Sequence, residues 1–144
     1  MRALVIHGPS LNLLGTREPE VYGSRTLAEV NDLISKQASD LGWEVAIHQT
    51  AREGEIVELL HSGIGSVDGA LLNPAAYGHT SRAIADAIRA VSFPVVEVHL
   101  SNIHAREAWR RRSVTAEAAA GIVSGFGAHS YVLGLHALKA VLEG

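Results

Sequence analysis

The sequence predicts an α/β fold in which helices cover both faces of a parallel five-stranded sheet. Short β-rich segments alternate with longer segments of helical periodicity. Several short segments are apolar nearly throughout, as strands are when both faces of a sheet are covered. The five predicted strands are ALVIH (3–7), WEVAIHQ (43–49), VDGALLN (67–73), PVVEVHL (94–100) and AAAGIVSGF (118–126).

Four helices are predicted between and after these strands. A T-x-x-E capping box, Thr26 with Glu29, begins the first helix, and Gly42 follows its end. A second box, Thr50 with Glu53, is predicted to begin the second helix. The apolar periodicities run over residues 27–41, 56–60, 83–91 and from about 129 to 142. With right-handed crossovers, five such strands favour the doubly wound order 2-1-3-4-5 that is called flavodoxin-like.

Length and composition are typical of one folded domain. The chain has 144 residues, of which 47% are hydrophobic and 19% charged, and no repeat or linker interrupts it, so we expect one domain over 1–144. A net charge of −3 argues against broad electrostatic binding to nucleic acid or an anionic membrane. No apolar segment approaches the roughly 20 residues that span a bilayer, and the N-terminal apolar run is short for a signal peptide. We therefore expect a cytoplasmic location.

Polar residues collect where the predicted strands end, which is where open α/β sheets bind ligands. Ser10 follows the first strand, Asn73 ends the third, and His99 and Ser101 lie at the end of the fourth. His79 precedes a helix whose first N–H groups favour a carboxylate. A polyhydroxy acid is therefore a candidate ligand. Each residue also has a purely structural interpretation, such as a hydrogen-bonded core histidine or an Asn-Pro turn.

Residues 8–25 form a long predicted loop that leaves from the same strand ends. Its segment GTREPEVYG (15–23) carries Arg17 and Tyr22, and the glycines and the proline predict neither a regular helix nor a strand. Long loops inside compact domains are usually functional or disordered. An arginine and a tyrosine in such a loop are therefore a candidate catalytic pair, although a surface stack is the commoner arrangement.

Metal and nucleotide sites are disfavoured. The eight histidines include no H-E-x-x-H pattern, and the chain has no cysteine. No G-x-G-x-x-G or P-loop follows the first predicted strand, so a flavin or nucleotide carrier is the remotest alternative. Only Lys36 and Lys139 are present, both within helical patterns, which disfavours imine chemistry.

Four segments carry a family resemblance: GPSLNLLGTREPEVYGS, LLNPAAYGHTS, VVEVHLSNIHAREAWR and GFGAHSYVLGL. Together they resemble type II 3-dehydroquinate dehydratase along nearly the whole chain. The resemblance implies a flavodoxin-like domain, assembled as trimers into a homododecamer. It also implies removal of water from 3-dehydroquinate through an enolate, giving 3-dehydroshikimate in the shikimate pathway, with no cofactor and no metal.

The resemblance also implies roles for individual residues. Tyr22 resembles the base that removes the C2 proton, with Arg17 favouring its phenolate form, and His99 resembles the acid that protonates the departing C1 hydroxyl. A free phenol has a pKa near 10, and a close guanidinium lowers an acid's pKa by roughly one to three units in a shielded site. Glu97 resembles a residue that orients an active-site histidine. The residues implied in substrate binding are Asn73, His79, Leu100, Ser101 and Arg110, with Asp86 reaching a neighbouring subunit's site.

Ser10 departs from the family pattern, which usually has asparagine there. That amide is thought to help hold a water on the enolate side, and a serine hydroxyl has a shorter reach. We therefore expect slow turnover, a shifted substrate or a compensating water. The alternative function is a homologue that binds quinate-like or shikimate-like ligands with weak or no turnover.

Overall fold

Five parallel strands form one sheet in the computed structural model, which describes residues 1–16 and 18–144. The strand order is β2-β1-β3-β4-β5, which confirms the predicted fold class and topology. The strands are β1 (Arg2–His7), β2 (Glu44–Gln49), β3 (Gly69–Asn73), β4 (Val95–His99) and β5 (Gly121–Ser124). β5 is shorter than predicted because turns formed by Ala118 and Ala119 precede it and Gly125, with a φ of 103°, follows it.

The helices are α1 (Pro19–Tyr22), α2 (Leu27–Asp40), α3 (Glu53–Ser62), α4 (Arg82–Ala90) and α5 (His129–Glu143). Short 3₁₀ turns cover Leu11–Leu13, Ala75–His79, Ile103–Ala105 and Ala108–Arg110. The single turn of α1 was not predicted, and it corrects the expectation of an irregular segment around Tyr22. Pro19 suits its first position because that residue needs no N–H partner there.

One predicted capping box is confirmed and the other is wrong. At the start of α2, the Glu29 amide donates to Thr26 Oγ1 at 3.2 Å and the Thr26 amide donates to Glu29 Oε1 at 3.4 Å. At α3, however, the N-cap is Arg52, and its amide donates to Thr50 Oγ1 at 3.1 Å. The Thr50 hydroxyl therefore closes the turn before the helix and does not cap it.

Two apolar layers hold the sheet between helix pairs. Side chains that alternate along the strands pack against α2 and α5 on one face and against α3 and α4 on the other. Each large buried aliphatic side chain contributes about 1.5–3 kcal/mol to folding. The sheet is thus a firm support for the residues at its strand ends. No helix in the described part of the chain is long and apolar enough to cross a bilayer.

The ends of β1 and β3 approach each other closely. The Gly8 amide donates to the Asn73 carbonyl at 2.8 Å. A Cβ at Gly8 would lie 2.8 Å from the carbonyl carbon and oxygen of Pro74, so only glycine fits here without a backbone shift. This contact fixes Asn73 beside the segment that begins with Ser10.

Candidate active site

A pocket opens at the carboxyl ends of β1, β3 and β4. Its empty volume is about 640 Å³ when the space at its open mouth is included. Eight of the residues that the sequence indicated line it: Ser10, Tyr22, Asn73, His79, His99, Leu100, Ser101 and Arg110. The sheet order therefore brings residues from distant parts of the sequence to one place.

His99 is oriented by a buried carboxylate. Its Nε2 lies 2.8 Å from Glu97 Oε2, and the Glu97 side chain is fully buried. Ser113 Oγ donates to Glu97 Oε2 at 2.5 Å, and Thr115 donates to Oε1. Because a carboxylate accepts, the Nε2 of His99 carries a proton, and Nδ1 is the ring nitrogen available to the pocket. Glu97 itself does not line the pocket and acts through His99.

His79 is held beside His99. Its Nδ1 lies 2.8 Å from the Arg112 carbonyl oxygen, which can only accept, so Nδ1 carries the proton and Nε2 is the acceptor. The His79 and His99 rings are stacked with centroids 6.5 Å apart and planes at 24°. The edge contact of His79 with Trp109, at 5.2 Å, supports the ring from another side.

Tyr22 is paired with an arginine that sequence reasoning missed. Arg106 Nη1 donates to the Tyr22 hydroxyl oxygen at 2.7 Å, and its Cζ lies 5.0 Å from the ring centroid. Arg106 also contacts Ser101 Oγ at 3.5 Å and Glu18 Oε2 at 3.8 Å. The predicted partner, Arg17, lies outside the described residues. Arg106 follows β4 on the segment just beyond Ser101, and this position was the one sequence signal that could have indicated it.

Arg110 lies at the mouth of the pocket, with its side chain 17% exposed. Its Nε contacts Glu107 Oε2 at 2.5 Å, and its Cζ lies 4.0 Å from the Trp109 ring centroid. The hydrogen bond from Arg110 is the main reason why the pKa of the Glu107 carboxyl is lowered. A guanidinium so placed presents its remaining donors to an anionic ligand.

Two of the indicated residues differ in setting from the rest. Asp86 lies on α4, with its side chain 82% exposed and 3.5 Å from Arg89, and it does not line this pocket. Ser10 lines the pocket in a left-handed backbone conformation, with φ 68° and ψ −4°. Among residues 1–16 and 18–144, no group of three His, Asp or Glu side chains is placed to hold a metal ion.

Comparison with known proteins identifies the family of this fold and pocket. The family model described as dehydroquinase class II matches residues 1–139. Over 138 residues the chain is 56% identical to the 3-dehydroquinate dehydratase of Geotalea daltonii, covering 96% of each. It is 52% identical over 139 residues to the enzyme of the same name from Rhizobium meliloti, covering 96% of this chain and 94% of the relative.

A solved structure agrees with these sequence matches. The crystal structure of type II dehydroquinase from Butyrivibrio crossotus superimposes with a TM-score of 0.95 at 36% identity. The alignment covers 96% of this chain and 97% of that one. The likeness therefore extends over nearly the whole of both chains.

Proposed function

Because the chain belongs to the dehydroquinase class II family, we propose that this pocket removes water from 3-dehydroquinate and yields 3-dehydroshikimate. The chain is then a hydro-lyase of the shikimate pathway that acts through an enolate, with no Schiff base, cofactor or metal. One observation carries the proposal. Tyr22, which a guanidinium contacts, and His99, which a buried carboxylate contacts, line the same pocket. The guanidinium belongs to Arg106 and the carboxylate to Glu97.

Tyr22 supplies the base. The Arg106 guanidinium donates to its oxygen at 2.7 Å, and such a charge-assisted hydrogen bond stabilises negative charge on the oxygen that accepts it. The phenolate removes a proton from C2 of the substrate, and the electrons move into the adjacent carbonyl to form the enolate. We propose that Arg17, in the same segment, adds to this effect.

His99 supplies the acid. The buried Glu97 carboxylate accepts from Nε2 and orients the ring, so that Nδ1 can give a proton to the departing C1 hydroxyl. Water then leaves, and the enolate collapses to the conjugated enone. The two hydroxyl groups that donate to Glu97 hold its carboxylate in one orientation.

The remaining pocket residues hold the substrate. Asn73, His79 and Ser101 offer polar groups to its hydroxyls, Arg110 offers a cation, and the backbone of Leu100 and Ser101 takes its carboxylate. Lys36 forms an ion pair with Asp40 within α2, and Lys139 forms one with Glu143 within α5. Neither lysine lines the pocket, so neither is placed to form an imine with the substrate. The whole of 1–144 is proposed to be one catalytic domain.

We propose three further features, which the family resemblance supports. The chains assemble as trimers into a dodecamer, in which exposed Asp86 reaches the pocket of a neighbouring subunit. The location is the cytoplasm, where the shikimate pathway operates. Ser10 takes part in holding the water on the enolate side, with less reach than an amide.

The absorbance of the conjugated enone product tests the function directly. Purified protein is mixed with 3-dehydroquinate, and the initial rate is compared with the rates of two variants. Tyr22→Phe removes the proposed base and should reduce the rate by a hundredfold or more. Tyr77→Phe removes a hydroxyl that donates to the Ala51 carbonyl at 2.9 Å, outside the pocket, and should leave the rate unchanged.

Three results would decide the matter. A wild-type signal that only Tyr22→Phe abolishes supports the mechanism. Binding of 3-dehydroquinate by calorimetry without any enone signal would favour a ligand-binding homologue. Turnover that survives Tyr22→Phe would assign the base to another residue.

A further inference from the structure

A buried chain of polar side chains ends on Asn73 of the pocket. His7 at the end of β1 and Tyr131 on α5 are both completely buried, and Asn73 is 3% exposed. The Asn73 Nδ2 donates to the Tyr131 hydroxyl oxygen at 3.0 Å, and that hydroxyl lies 2.8 Å from His7 Nδ1. The other ring nitrogen of His7, Nε2, lies 2.8 Å from Asn31 Oδ1 on α2. The chain thus runs from the pocket, along the face of the sheet that α2 and α5 cover, to those two helices.

The direction of every hydrogen bond in this chain follows from its pocket end. The Ala75 amide, which can only donate, points at Asn73 Oδ1 at 3.1 Å, so Nδ2 is the atom that faces Tyr131. The Tyr131 oxygen accepts from Asn73, and its own proton is then donated to His7 Nδ1. His7 must therefore carry its proton on Nε2, where Asn31 Oδ1 accepts it.

Burial favours this arrangement at neutral pH. Desolvation lowers the pKa of His7 to about 4, so the ring stays neutral and keeps Nδ1 as an acceptor. Burial also raises the pKa of Tyr131, which therefore keeps the proton that it donates. Within the described residues, every buried side-chain nitrogen or oxygen has a hydrogen-bond partner, so the chain has no broken link.

We propose that Tyr131 and His7 are positioning residues for substrate binding: they hold the amide of Asn73 in one orientation, with its remaining donor and acceptor sites turned to the pocket. This inference rests on the proposed function, because Asn73 is taken to bind the substrate. Neither Tyr131 nor His7 lines the pocket. Both act through Asn73.

Loss of the tyrosine hydroxyl should release the amide. In a Tyr131→Phe variant the Asn73 Nδ2 would face a ring edge. A buried donor without a partner is costly, and this cost should shift the equilibrium between orientations of the Asn73 amide by about tenfold or more. The nearest place where the amide can find a new partner is the open pocket. The orientation that matches the substrate would then be lost, while Tyr22 and His99 keep their own partners.

A double-mutant cycle on KM is the test. Tyr131→Phe should raise KM for 3-dehydroquinate about tenfold with a smaller change in kcat. In an Asn73→Ala background the same substitution should change KM by less than about twofold, because the group that it positions is gone. Tyr77→Phe, which removes a tyrosine hydroxyl outside the pocket, should leave KM unchanged in both backgrounds.

A substitution at His7 gives an independent measurement. His7→Leu removes the acceptor for the Tyr131 proton and should raise KM as Tyr131→Phe does. His7→Asn keeps an oxygen at the position of Nδ1 and should restore most of the affinity. If KM does not change in Tyr131→Phe, or rises equally with and without Asn73, the proposal is wrong. Failure of His7→Asn to bind better than His7→Leu would also contradict it.

The proposed function can fail separately from this inference. Substrate binding is therefore also measured by calorimetry in a Tyr22→Phe background, where turnover is blocked. If the wild type shows no enone signal but Tyr131→Phe still weakens binding only when Asn73 is present, the dehydratase assignment fails and the positioning role stands. Thermal unfolding of each variant identifies any that do not fold, and the His7→Asn and His7→Leu pair then replaces a misfolded Tyr131→Phe.

Discussion

Burial of a neutral histidine should make this protein less stable in acid, by an amount that the structure allows us to estimate. His7 is completely buried and its pKa is lowered from 6.5 to about 4, chiefly by desolvation, with the Asn31 hydrogen bond acting in the opposite direction. Below pH 6.5 the unfolded chain binds a proton at this residue that the folded chain does not. Stability is therefore fully present above pH 6.5 and is lost as the pH falls towards 4.

The size of the loss follows from the pKa difference. Each unit is worth about 1.36 kcal/mol, so His7 alone should reduce the free energy of unfolding by about 3 kcal/mol between pH 7 and pH 4. This is a large share of the roughly 5–15 kcal/mol that stabilises a typical domain. Acid should therefore destabilise the protein more than the titration of its surface groups alone would.

Urea unfolding of the wild type and of His7→Asn at a series of pH values measures this contribution. The variant removes the titrating ring and keeps an acceptor for Tyr131, while the carboxylates and the other histidines remain the same in both proteins. As the pH falls from 7 to 4, the free energy of unfolding should fall by about 3 kcal/mol more in the wild type than in the variant. If both proteins lose equal stability over this range, the neutral buried state assigned to His7 is wrong.

Four further substitutions test other parts of the structure. Arg106→Gln should lower kcat by roughly a hundredfold to a thousandfold, because the oxygen of Tyr22 loses a cationic hydrogen-bond donor; steady-state kinetics with the enone absorbance checks this. Ser10→Asn should raise kcat by up to roughly a hundredfold, because asparagine adds an amide donor. It should also raise the melting temperature, because asparagine tolerates the φ of 68° better than serine. Glu97→Gln should reduce kcat by about a hundredfold with little change in KM, because the imidazolium of the acid loses its carboxylate. Gly8→Ala should lower the free energy of unfolding by about 1–3 kcal/mol in denaturant titration, because the new methyl would lie 2.8 Å from a carbonyl group; an unchanged midpoint would mean that the backbone yields freely.

The fold could be predicted because its sequence signals are local and repeated. Apolar runs gave the strands, helical periodicity gave the crossovers, and handedness left few possible strand orders. The same signals located Ser10, Asn73 and His99, since each lies at or just beyond the end of a strand. The Thr50 capping box failed because a sequence pattern does not tell which amide a hydroxyl will accept from, and the Thr50 hydroxyl accepts from the amide of Arg52.

The loop contacts could not be predicted in the same way. Tyr22 and Arg106 are 84 residues apart, and both lie on segments without a hydrophobic period that would indicate their direction. The backbone before Tyr22 depends on a left-handed Glu18, with φ 37°, which residue type alone does not indicate. A pair that meets only when two irregular segments have folded is visible in the structure and not in the sequence.

The alternation of side chains along the strands divides the site between the two faces of the sheet. Asn73 follows the same side of β3 as Leu71 and meets Tyr131 in the layer of α2 and α5. Glu97 and His99 point to the opposite face of β4 from Val98. On that face Glu97 accepts hydrogen bonds from the hydroxyls of Ser113 and Thr115. A substrate above the strand ends can therefore contact side chains that come from both faces of the sheet. Because a shift of one residue in register would exchange these faces, the buried apolar positions that fix the register also fix the chemistry of the pocket.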